Sequence, residues 1–318
     1  MPDAEEIAGN TVSPPRVRFY DVTGADGTRL RAWTNDAEGP TVLLCNGLGS
    51  SPYIWPALLT PDCGVRVISW NHRGVGGSAR PADPAAVTMD EHVADAVAVL
   101  DHEGVRHSVA MGWSIGVNTA FELAVRHPER ITGLLAVSGV PGNSFATMLE
   151  PLLVPRILRR VVAVGLTRAL YLGGPLITPI SSRLPWTDVT AGMLRHSGFM
   201  LPSASSAVVK LAVREFLTTP VDWYMHLALH AADHARVPLS SVTVPTVFVA
   251  GRWDVFAGRS DMRSAADRIP RATYVELPGS HFLPMERPQE VHKELLRLLE
   301  RVETDHPDTP STDTTRQG

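Results

Sequence analysis

Short β-branched apolar runs alternate along the chain with stretches whose apolar residues recur every three or four positions. "RVRFYDVT" and "RLRAWTN" flank "GADGT", a hairpin signal because glycine accepts the positive φ angles of tight turns. "TVLLC" (Thr41 to Cys45) and "VRVISW" (Val65 to Trp70) suit buried strands. From Thr88 to Gly104 the period becomes helical, with Val93, Val97 and Leu100 on one face and Thr88 placed to cap. "HSVAM" is the next strand, and a helix follows from about Ile115 to His127. "ITGLLAVSGV", "PTVFVA" and "ATYVEL" read as further strands, with a helix near Arg259 to Arg268 between the last two. A final helix carries Val291, Leu295, Leu298 and Val302 on one face.

Strands alternating with helices predict an α/β protein with a mostly parallel sheet covered on both faces, because parallel strands need crossover connections. The rhythm breaks at residues 141–238, which read as several helices separated by prolines, without a convincing strand. This insertion between two strands predicts a helical cap over one end of the sheet, leaving residues 16–140 and 239–302 as the core. Residues 1–15 are expected to form a flexible tail and the polar, proline-bearing residues 303–318 a disordered one. The most apolar region, Val161 to Ile180, is interrupted by Arg168, Gly173, Gly174, Pro175 and Pro179, which argues against a membrane-spanning helix.

"GWSIG" sets Ser114 between Gly112 and Gly116 at the predicted passage from strand to helix. A G-x-S-x-G motif alone is weak, but this context is what a nucleophile elbow requires. A serine hydroxyl needs a base, and the base needs an acid to orient it. His281, in "PGSHFLPMERP", follows the strand "ATYVEL"; Asp254, in "VFVAGRWDVFAG", lies just beyond the preceding strand. The chain order Ser114, Asp254, His281 fits a serine nucleophile on this kind of sheet. "LLCNGLGSS" follows the strand Thr41 to Cys45, so the backbone N–H groups of Leu48 and Ile115 are the natural oxyanion donors.

With these pieces assembled, the chain resembles an α/β-hydrolase of the capped esterase and lipase type. The matching segments are "NGLGSS", "WNHRGVGGSARP", "GWSIG", "GRWD" and "GSHFLPMERP", covering residues 17 to 302 apart from the cap. Asn46 and Asn71 depart from the usual His and Asp of such loops and bear on subfamily. The resemblance implies a cofactor-free serine hydrolase acting on small-molecule esters or acyl compounds. The serine argues against the haloalkane dehalogenases and epoxide hydrolases of this superfamily, which place an aspartate there. Carbon–carbon bond hydrolases, thioesterases and perhydrolase or haloperoxidase-like enzymes share the triad, and a ligand-binding protein on the same fold is the non-enzymatic alternative.

Composition adds exclusions. A net charge of −4 offers no basic surface for nucleic acid. The two cysteines, Cys45 and Cys63, exclude a disulfide framework and suit a cytoplasmic setting; Cys45 reads as a buried strand residue. "MPDAEEIAGNTVSPP" has no apolar core and is not a secretory signal. "GVGGSA" mimics a dinucleotide fingerprint, but "RPADP" follows where a helix would have to begin, so Arg73 and Ser78 are assigned to holding the loop. His226, His230 and His234 stand four apart without a partner carboxylate or thiolate cluster, and no metal is expected. Arg156, Arg159 and Arg160 could hold the cap near anionic lipid, the alternative being a solvated basic face.

Overall fold

The computed structural model describes residues 17–183 and 187–305. One sheet holds β1 (Arg18–Thr23), β2 (Arg29–Thr34), β3 (Thr41–Cys45), β4 (Arg66–Trp70), β5 (Ser108–Trp113), β6 (Ile131–Val137), β7 (Thr246–Gly251) and β8 (Ala272–Leu277). The spatial order is β1-β2-β4-β3-β5-β6-β7-β8. The β1–β2 and β2–β4 pairs are antiparallel, and every later pair is parallel. The helices are α1 (Met89–His102), α2 (Gly116–Arg126), α3 (Arg156–Ser181), α4 (Asp188–Arg195), α5 (Ser206–Phe216), α6 (Val221–Ala232), α7 (Arg259–Ala266), α8 (Leu283–Glu286) and α9 (Pro288–Asp305).

Alternate side chains of a strand face opposite sides of a sheet. Leu43 and Cys45 therefore join a core with Val93 of α1, Phe121 of α2 and Met262 of α7. Val42 and Leu44 face the other way and join Val291, Leu295 and Leu298 of α9. Helices thus cover both faces, and the central strands β5 and β7 are buried throughout, as their apolar runs require. Thr88 does cap α1, in a capping box with Glu91, whose Oε2 accepts the Thr88 N–H at 2.9 Å.

Between β6 and β7 lie α3 to α6, with no strand among the described residues. Two expectations are corrected. Arg168, Gly173, Gly174, Pro175 and Pro179 do not interrupt the apolar region; α3 runs unbroken for 26 residues through both prolines. Both prolines are exposed, so a carbonyl deprived of its helical N–H partner can meet solvent. Residues 303–305, assigned to a tail, instead end α9. Residues 1–15 and 306–318, the rest of the expected tails, lie outside the described residues.

Candidate active site

β5 must reverse into α2 within two residues, and Ser114 absorbs the turn at φ 56°. That left-handed conformation is strained for a residue bearing a Cβ. The flanking glycines answer to close backbone approach. A Cβ on Gly112 would lie 2.6 Å from the Val117 Cα, and one on Gly116 would lie 1.9 Å from the Cys45 carbonyl oxygen. No side chain fits either gap, so the turn needs glycine on both sides of the hydroxyl.

Asp254 follows β7 and His281 follows β8, so both side chains come from loops at the carboxyl edge that also presents Ser114. His281 Nε2 lies 2.8 Å from Ser114 Oγ, and His281 Nδ1 lies 3.0 Å from each Asp254 carboxylate oxygen. A carboxylate only accepts, so Nδ1 carries the ring proton and Nε2 is left to accept from the serine hydroxyl. Asp254 is held in turn by the N–H groups of Phe256 (2.8 Å) and Ala257 (2.9 Å), which donate to its Oδ1. Asp261, the nearest rival acid in sequence, sits on α7 and binds Arg156 of α3 at 2.6 Å.

The Leu48 loop leaves β3 against this turn, since the Cys45 and Asn46 carbonyls face Gly116. Ile115 is the N-cap of α2, ahead of any intrahelical N–H bond. Neither the Leu48 nor the Ile115 N–H has a hydrogen-bond acceptor among the described residues. Asn46, where a histidine is usual, keeps its loop in place. Its amide donates to Ser69 Oγ (3.0 Å) and its oxygen accepts from Trp55 Nε1 (2.9 Å).

Two features escaped the sequence reading. Glu286 is buried and accepts from Ser280 N–H, Ser280 Oγ and the Leu201 N–H of the inserted region, each at 2.7 Å. Its signal was present in the segment "GSHFLPMERP", but nothing local shows that a glutamate there turns inward. An aromatic wall also surrounds the histidine: Phe256 and Trp113 lie 4.9 and 5.5 Å from the His281 ring, and Phe199 packs on both Phe256 and Phe282. Phe199 comes from the inserted region, so only the fold brings it there.

The set-aside signals find structural partners. Arg73 is buried, bonded to both oxygens of buried Asp95 (2.9 and 2.7 Å) and to Asp26. Ser78 Oγ donates to the Asn71 carbonyl at 2.7 Å. His226 binds the Pro84 carbonyl (2.7 Å), His230 the His226 carbonyl (3.0 Å), and His234 lies 3.2 Å from Glu122. Among the described residues no group of three or more His, Cys, Asp or Glu is placed to hold a metal ion. Cys45 is buried, and burial pushes its thiol well above the usual range.

Residues 40–165 match the sequence model of the alpha/beta hydrolase fold family. The chain belongs to the α/β-hydrolase superfamily. This hydrolase is 25% identical to epoxide hydrolase B of Mycobacterium tuberculosis (strain ATCC 25618 / H37Rv), over 89% of this chain and 98% of that protein. It is 23% identical to 3-oxoadipate enol-lactonase 2 of Acinetobacter baylyi, over 90% and 99% of the respective chains. The solved structure of a thermophilic esterase from Thermogutta terrifontis superposes with a TM-score of 0.66 at 20% identity, covering 90% of this chain and 99% of that one. Hydrolysis is thus common to the relatives, while the bond they cleave is not.

Proposed function

We propose that this hydrolase cleaves carboxylic esters, with apolar acyl groups preferred, through an acyl-enzyme on Ser114. The observation that carries the reading is the hydrogen-bond chain from Ser114 Oγ through His281 to Asp254. His281 takes the serine proton as Oγ attacks the ester carbonyl, and the Leu48 and Ile115 N–H groups stabilise the oxyanion. The same histidine protonates the departing alcohol, then activates water to release the acid. Asp254 holds the imidazole tautomer and stabilises its cation. No cofactor takes part in these steps.

Chemistry separates this reading from the epoxide hydrolase relatives. A serine that opened an epoxide would become an ether, with no carbonyl for water to attack, and turnover would stop. The carboxylate nucleophile of those enzymes gives an ester, which water can cleave. An enol-lactone is a cyclic ester, so the lactonase likeness supports acyl transfer. A fluorophosphonate probe tests the assignment: it should label the wild-type chain on Ser114 and fail to label Ser114→Ala. Labelling elsewhere, or none, would overturn it.

A further inference from the structure

An ordinary surface helix buries its large apolar side chains and exposes its charges. α3 exposes its large apolar side chains instead. Its buried residues are Ala163, Thr167 and Gly174. Ile157, Val161, Leu172 and Leu176 are 85%, 70%, 77% and 77% exposed, and Leu153 just before the helix is 88% exposed. At 100° per residue these positions and Leu158, Val162, Leu166 and Ile180 share one outward face, interrupted by a single charge, Arg168. Over 26 residues that face is about 39 Å long at 1.5 Å per residue. The helix is long and apolar enough to cross a membrane. Its inner side, however, is committed to the protein: Ala163 packs with Phe145 and with Ala228 and Ala232 of α6.

Charge identifies what covers the face. From Pro151 to Thr187 the chain carries Arg156, Arg159, Arg160, Arg168 and Arg183 and no Asp or Glu. Arg168 and Arg183 are exposed and have no ion-pair partner among the described residues. We infer that the outward face of α3 docks this hydrolase on an anionic phospholipid surface, with the helix lying in the interfacial plane. Apolar side chains then enter the acyl boundary while Arg168 and Arg183 reach lipid phosphates, Arg156 and Arg160 being paired with Asp261 and Asp233. A second copy of the chain is the poorer occupant, because a two-fold pairing centred on Arg168 would bring two arginines together in an apolar contact. The inner side of α3 reaches toward the Leu48 loop, since Leu48 packs against the same small cluster of Phe145, Ala163, Ala228 and Ala232. Only the thickness of one helix, about 10 Å, separates the lipid-facing surface from that loop.

Vesicle flotation of the full chain tests this without reading turnover, so its failure is distinct from failure of the esterase reading. Wild-type protein should float with phosphatidylglycerol-containing vesicles and much less with pure phosphatidylcholine. Leu172→Glu/Leu176→Glu should weaken binding at least about a hundredfold, and Arg168→Ala about fivefold. Both variants should keep the wild-type circular dichroism and melting temperature, as the altered side chains are exposed. Equal flotation with neutral and anionic vesicles, flotation with neither, or undiminished flotation of the double variant would overturn the inference. So would a dimer in sedimentation that the double variant dissolves while vesicle binding stays absent, which would assign the face to a second copy.

Discussion

In β3, β5, β6 and β7 the large apolar side chains are buried, whereas in α3 nearly all of them point outward. The two regions meet at the site: the sheet supplies Ser114, Asp254 and His281, and the inserted region supplies Phe199 and the Leu201 N–H. The difference teaches how each contributes. Positions at the ends of hydrogen-bonded parallel strands are fixed to fractions of an ångström by the ladder behind them, which is what proton transfer demands. A helix resting on a few small residues fixes little, and its large side chains are free to meet a partner.

The largest effect should come from the sheet edge. Ser114→Ala should lower ester turnover on the order of 10⁴-fold, with folding intact. Asp254→Asn should be nearly as damaging, because an amide presented to Nδ1 favours the wrong histidine tautomer. Asp261→Asn is the internal control: it removes an anchor between α7 and Arg156 of α3 and leaves Asp254 untouched. If Asp261→Asn proved the crippling change and Asp254→Asn harmless, the assignment of the acid would fail.

Next in size is the acyl-chain dependence, where the aromatic wall and the inserted region act together. Each methylene buried contributes about 0.8 kcal/mol, close to fourfold, so four more carbons amount to roughly two orders of magnitude. kcat/KM on p-nitrophenyl esters should rise from acetate to at least hexanoate. A flat or falling series would remove the apolar-acyl preference and point to a small ester or a carbon–carbon bond.

A smaller effect concerns stability, where two buried histidines of the core form an acid-sensitive contact that histidines of the inserted region reinforce electrostatically. His72 and His92 are buried with their rings 5.1 Å apart. Burial lowers His72 from 6.5 to about 4. Burial, then His72, Arg73, His230 and His234, lower His92 well below its usual range. The folded state therefore keeps both rings neutral while the unfolded chain takes up protons below 6.5. The stability they provide is present above 6.5 and lost as pH falls through the window down to about 4. Urea unfolding near pH 7 and about pH 5 should differ on the order of 2 kcal/mol from His72 alone, with His92 adding in the same direction. His92→Gln should flatten that slope, and an unchanged slope would exclude the pair as its source.

The contrast also explains what the sequence could reveal. Strand period, the elbow glycines and the order Ser114, Asp254, His281 are local patterns, each legible because one close backbone contact or one strand end dictates it. The inserted region obeys no such period. Pro175 and Pro179 signal a break, yet their exposed side of α3 tolerates them. The same run of leucines and valines would suit a core, a pocket or an outer face, and only packing on α6 decides among these. Glu286 was hidden for a related reason, since its partners include Leu201, 85 residues away in the chain.

The smallest predicted effect asks which region yields when their shared anchor is weakened. Glu286 presents two acceptor oxygens to three donors: Oε2 to the Ser280 N–H, and Oε1 to Ser280 Oγ and the Leu201 N–H. In Glu286→Gln one oxygen becomes a donor. If the new amide nitrogen takes the Oε2 place, it confronts the Ser280 N–H, next to His281. If it takes the Oε1 place, Ser280 Oγ can turn and accept, leaving only the Leu201 N–H unmatched. The second arrangement disturbs one end of the inserted region and spares the loop that carries His281, so it should be preferred. A buried donor left without its acceptor costs about 1–3 kcal/mol. The variant should melt lower by that amount, exchange the Leu201 amide faster, and keep turnover within about tenfold of wild type. A loss of turnover as deep as that of Asp254→Asn, with the Leu201 amide still protected, would show instead that the sheet edge is the weaker partner.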